Sequence, residues 1–138
     1  MSSKILRGLL IVLVSLFIAR YLWLAFSVRE AGKTVSKVQV NLAMNDVKRI
    51  REALDFLWAP YNLGEEEKVY STDNYTKFKN RIEKIADNRG GMPMVLPSRP
   101  NFTNFSYSGS EEGYHIKVRA KGTSGTIVHA TQNRLWLQ

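Results

Sequence analysis

From Gly8 to Val28 the chain reads GLLIVLVSLFIARYLWLAFSV, and Arg20 is the one charged residue in that run. A helix needs about 20 such residues to cross a hydrocarbon layer of about 30 Å. Water is a poor solvent for a stretch this apolar, so it constrains the chain more than any other feature. Lys4 and Arg7 precede it, and Tyr21 and Trp23 suit the boundary between headgroups and hydrocarbon. Arg20 is the discordant residue. At the centre of a span a cation costs about 2.5–3.5 kcal/mol, so it should snorkel or find a partner on another protein.

Three readings of this segment stay open. It is an uncleaved membrane anchor; or a secretory signal peptide, with Ala25-Phe26-Ser27 as a small-x-small cleavage site; or a helix behind a short basic leader, MSSKILRG, cut between Gly8 and Leu9. All three put the remainder of the chain outside the cytoplasm. Arg29, Lys33 and Lys37 follow the run, so flanking charge alone does not fix that orientation. The organisation expected is a possible leader at 1–8, a transmembrane or assembly helix at 9–28, and an extracytoplasmic α+β domain at 29–138.

The helix should continue beyond the apolar run. Val35, Val38, Leu42, Val47, Ile50, Leu54 and Leu57 recur at spacings of three to five, which predicts one apolar stripe facing a core. No Gly or Pro interrupts between Lys33 and Ala59, and Pro60 then ends the ladder. From Leu9 to Trp58 such a helix is ~75 Å long. A loop follows over Tyr61–Ser71, with the acidic run Glu65-Glu66-Glu67 read as solvated. Asp73 is the expected N-cap of a short helix with Tyr75, Phe78, Ile82 and Ile85 on one face, ended by Asn88, Gly90 and Gly91. The proline-rich Met92–Pro100 is a connector.

From Asn104 the period changes to two. Tyr114, Ile116, Val118 and Ala120 alternate with His115, Lys117, Arg119 and Lys121, which marks a half-buried strand. Phe105-Ser106-Tyr107 before it, Ile127-Val128-His129-Ala130 after it and Leu135-Trp136-Leu137 at the end complete an antiparallel meander of three to four strands. The fold class is therefore α+β: a long N-terminal helix, first transmembrane and then amphipathic, laid on a small antiparallel sheet, with one extra short helix.

Little points to chemistry. With no cysteine, thiol catalysis and Cys-ligated metals are excluded. His115 and His129 could face one side of adjacent strands, but a His pair without further ligands reads as surface histidines. No nucleophile motif and no phosphate-cradling glycine loop occurs, so neither an enzyme nor a cofactor is expected. Asn74, Asn101 and Asn104 fit the glycosylation sequon. The net charge is +8, and after Glu112 there is no acidic residue while Lys117, Arg119, Lys121 and Arg134 follow. They read first as a solvated basic surface and second as a contact for DNA phosphates.

As a whole the pattern resembles the ladle of type IV pilins and type II secretion pseudopilins. The matching pieces are the basic leader ending at Gly8, the helical segment Asn41–Leu54, and the late Gly113-Tyr114-His115-Ile116-Lys117-Val118 strand. Leu9 and Leu13 stand where that family usually has Phe and Glu. The family carboxylate neutralises a neighbour's N-terminus in the filament, so its absence points away from a major subunit. The resemblance implies a minor structural subunit of a pilus, secretion or DNA-uptake filament. Its partners would be membrane lipid, other pilin or pseudopilin subunits meeting Arg20, and a membrane assembly platform. The alternative is a single-pass accessory protein of the inner (cytoplasmic) membrane whose outer domain binds a partner protein.

Overall fold

A computed structural model of the chain describes residues 3–58, 68–92, 94–123 and 125–138. The acidic run Glu65–Glu67 and the helix stop at Pro60 lie outside them. Helix α1 runs Ser3–Trp58, and contacts divide the chain into two units, Met1–Ser36 and Lys37–Gln138.

In the first unit every apolar side chain described is solvent-facing, Phe17 at 79% and Tyr21 at 74% exposure being the extreme cases. Helix is the form that an isolated apolar segment adopts in lipid, because it satisfies each backbone N–H and C=O internally. The hydroxyls follow the same rule. Ser15 Oγ donates to the Ile11 carbonyl at 2.8 Å and Ser27 Oγ to that of Trp23 at 2.9 Å.

In the second unit the rest of α1 lies on a five-stranded antiparallel sheet formed by described residues. Its strands are β1 (Ser71–Thr72), β2 (Phe102–Ser110), β3 (Gly113–Ala120), β4 (Ile127–Thr131) and β5 (Leu135–Leu137), in the spatial order β1-β2-β3-β4-β5. Helix α2 spans Tyr75–Asp87. The meander is as the alternation requires, with one strand more than the three to four expected. The extra one, β1, is two residues long, too short for any period to reveal, and it is held by pairing Ser71 with Ser108 and Thr72 with Tyr107.

The buried strip of α1 is Ala43, Val47, Ile50, Ala53, Leu54, Leu57 and Trp58, with Val40 and Met44 at its margin. The predicted stripe needs correcting at its start. Val35, Val38 and Leu42 are exposed, at 58%, 51% and 38%. Successive helical residues are rotated by about 100°, so Leu42 points well away from the strip centred near Ala43, and spacings of three to five mixed two faces. The strip meets Ile116, Val118, Ala120, Val128 and Ala130 from the sheet. Rings fill the other end of the core: Phe78 lies 4.8 Å from Tyr107 and 5.0 Å from Phe105, and Tyr75 is edge-on to Phe102 and Phe105.

Helix α2 buries Phe78, Ile82 and Ala86. Its N-cap is Asn74, not Asp73: Asn74 Oδ1 accepts from the Lys77 amide at 3.0 Å, a reach that Asp73, one residue further out, does not have. At the other end Gly90 and Gly91 adopt φ of +94° and +93°, and the Gly91 amide donates to the Ala86 carbonyl at 2.8 Å, the left-handed exit those glycines predict. The connector is anchored by buried Leu96 and by the Tyr75 hydroxyl, which donates to the Pro97 carbonyl at 2.7 Å.

Polar contacts fasten α1 to the sheet domain at two places. Asp46 is 7% exposed, and its Oδ2 accepts from both the backbone amide and the side-chain amide of Asn101, at 2.7 and 2.9 Å. Further along, the Tyr114 hydroxyl donates to Asp55 Oδ1 at 2.6 Å, and Arg51 Nη2 donates to the Gln132 carbonyl at 2.8 Å. Burial first and the bond to Asp55 second raise the Tyr114 pKa, so this phenol remains a donor at every physiological pH.

Candidate functional site

Two surfaces stand out: the apolar face of α1 in the first unit and the outward face of the sheet. On the helix, one stretch is long and apolar enough to cross a membrane, with a mean hydropathy of 2.3 and none of it buried. Gly8 and Leu9, the expected cleavage pair, lie within the helix and are exposed. Arg20 is exposed and makes no ion pair or hydrogen bond with another described residue. Polar pairing resumes past the apolar run, where Lys33 Nζ donates to Glu30 Oε1 at 2.9 Å.

On the sheet, pleating sends Tyr114, Ile116, Val118 and Ala120 into the core and His115, Lys117 and Arg119 outward. Register then decides their neighbours. Lys117 lies opposite Ser106 on β2 and His129 on β4, and Arg119 lies opposite Thr103 and Ile127. Lys121 falls in the following turn and Arg134 in the β4–β5 turn. The four basic residues therefore do not form one patch by register: Lys117 and Arg119 share a face, and Arg134 belongs to a separate stack.

That stack is the feature sequence reasoning did not assemble. His115 Nε2 and His129 Nδ1 are 3.0 Å apart, and His129 Nε2 is 3.0 Å from Gln138 Oε1. An amide oxygen only accepts, so the Gln138 contact makes His129 Nε2 its donor, while which ring donates across the His115–His129 contact follows from the tautomer. The Trp136 ring lies nearly parallel to both imidazoles, 5.1 Å from His129 and 5.9 Å from His115, and the Arg134 guanidinium sits 5.0 Å over the Trp136 ring. Reading the two histidines as surface residues is corrected for His129, which is 7% exposed because Trp136, its cross-strand partner on β5, covers it. Burial, His129 and Lys117, in that order, lower the His115 pKa below 6.5. Among the described residues no group of three or more His, Cys, Asp or Glu comes together to hold a metal.

β2 contains a bulge. Its register changes between Thr103 and Ser106, so Asn104 and Phe105 together oppose Val118. Phe102, Phe105 and Tyr107 all point inward as a result, while Thr103, Asn104 and Ser106 point outward. Among the described residues Asn104 is the one non-glycine with positive φ, 52°. Of the three sequon asparagines, Asn74 caps α2, Asn101 is engaged with Asp46, and Asn104 is exposed.

No protein-family model, curated protein or solved structure matches this chain.

Proposed function

We propose that this chain is a pilin-like or pseudopilin-like structural subunit, minor in its filament. It spans the cytoplasmic membrane once, carries its α+β domain outside, and assembles through α1. The observation that carries the reading is the continuity of α1. One unbroken helix presents exposed apolar side chains in its first unit and supplies part of the core of the sheet domain in its second. In the second unit Val38 and Leu42 are exposed as well. Such a helix is both anchor and assembly element, and the work is mechanical.

A second reading has its own support. Leu13 and unpaired Arg20 leave this helix without the family carboxylate and with a cation that identical helices do not neutralise. A single-pass accessory protein, paired through Arg20 with an acidic residue of a membrane partner, fits those two residues. Mass spectrometry of the protein from membranes of cells with a prepilin peptidase tests the first reading: Leu9 is the expected mature terminus. An intact Met1 or Ser2 would leave the accessory reading in front, and a start near Val28 would overturn both. Co-purification of Arg20→Leu protein then reports the pairing. Insertion should be retained or improved, since the substitution removes a cost of about 2.5–3.5 kcal/mol, while recovery of the partner falls.

A further inference from the structure

The outward face of β2 and β3 holds a cleft of about 280 Å³, lined by Asn104, Ser106, Lys117, Val118, Arg119 and Ile127. Neither the helix nor the histidine stack uses it. Three observations give it a chemistry. Lys117 and Arg119 are two apart on one strand, so both project from the same face about 7 Å apart. The residues across the ladder from them are Ser106, Thr103, His129 and Ile127, so no carboxylate stands opposite either cation, and neither is ion-paired with a described residue. The bulge brings Asn104 outward beside them in a left-handed backbone, a conformation that costs energy in a non-glycine residue and is typical of sites where a side chain has been re-aimed.

We propose that this cleft binds a phosphate-type oxyanion. Arg119 presents a planar fork to two oxygens and Lys117 a compact charge, and the Ser106 hydroxyl and Asn104 amide supply neutral donors for what remains. The anion is either a free phosphate group or the phosphate of a lipid headgroup. The site depends on the sheet alone and stands apart from the filament reading.

The test uses isotope-labelled full-length protein in phosphatidylcholine nanodiscs, titrated with inorganic phosphate at constant ionic strength and followed by amide chemical shifts. Saturable shifts confined to Asn104, Ser106, Lys117 and Arg119 and their neighbours are expected. Lys117→Gln and Arg119→Gln should each weaken binding about tenfold, the value of one charge-assisted contact. Arg119→Lys should weaken it by less, having lost the fork but kept the charge. Nanodiscs containing phosphatidylglycerol separate the sources: a headgroup ligand shifts the same residues without added phosphate, and a free ligand does not. Shifts that fail to saturate, or that spread equally over Lys77, Lys84 and Arg89, overturn the proposal. Should the glutamine variants disturb folding, Asn104→Asp places a carboxylate in the cleft from an exposed position. Undiminished binding in that variant also overturns it.

Discussion

Replacing Asp46 with alanine removes the contact that fixes the start of β2 to α1. The carboxylate is nearly sealed from water and accepts two hydrogen bonds from Asn101 on a single oxygen. Hydrogen bonds to a charged group contribute about 1.5–3 kcal/mol each, and a buried donor left without its acceptor adds its desolvation cost. Asn101 is half-buried and water can reach part of what is freed, so the low end applies and Asp46→Ala should cost about 3 kcal/mol. For a domain of this size that is a fall of roughly 10–20 °C in Tm.

Asp46→Asn keeps the shape and one acceptor oxygen, and should cost about 1 kcal/mol. Asn101→Ala loses the side-chain bond and retains the backbone donor, so it should fall between the two. Urea unfolding of the full chain in detergent micelles, followed by near-ultraviolet circular dichroism, gives all three values. The double variant yields the coupling, expected at about 1–2 kcal/mol. An Asp46→Ala protein within 0.5 kcal/mol of the unaltered chain would refute the reasoning, because surface substitutions do no more than that.

The domain should lose stability as pH falls from 6.5 through the lowered His115 pKa, since a group whose folded pKa is depressed favours the fold only while neutral. Thermal melts between pH 8 and 5 should show the loss, and it should be smaller in His115→Gln. Gly109→Ala should cost more than 1 kcal/mol and release β1, because the added methyl would collide with the Lys68 carbonyl and come within 2.9 Å of the Tyr70 carbonyl; weakened exchange protection at Gly109 checks it. Leu54→Ala should cost about 2–5 kcal/mol and Leu42→Gln less than 0.5 kcal/mol in the same unfolding assay, one being fully buried and the other facing solvent.

The parts of this fold legible in the sequence were those written as a period. Alternation over Tyr114–Ala120 gave the strand and its two faces, the apolar run gave the helix, and Gly90-Gly91 gave the end of α2. Residues whose roles depend on register were not legible. His115 and His129 are fourteen positions apart, and whether their rings meet depends on the turn between β3 and β4 pairing Lys117 with His129. Trp136 covers His129 only because β5 pairs back at that position. Nothing local in the sequence announces that Asn101 will arrive beside Asp46. The stripe failed at Val38 and Leu42 for a related reason: periodicity reports that a face is apolar, while the sheet decides how much of it is covered.

The bulge in β2 shows how a core and a surface can be set by one inserted residue. In an unbroken strand Phe102 and Phe105, three apart, would point to opposite faces, because side chains alternate. One ring would then be in solvent, and the aromatic cluster around Phe78 and Tyr75 would lose a member. Inserting a residue opposite Val118 turns both rings inward, at the cost of a left-handed Asn104 and an interrupted ladder. The burial of a phenylalanine side chain, about 1.5–3 kcal/mol, offsets the left-handed backbone cost of about 1–2 kcal/mol, of which asparagine bears the low end. The same insertion makes Thr103 and Asn104 consecutive outward residues beside Arg119 and Lys117. The polar lining of the cleft is thus a geometric consequence of packing two rings on the other side of the sheet. Any substitution that removes the bulge should perturb the core and the cleft together.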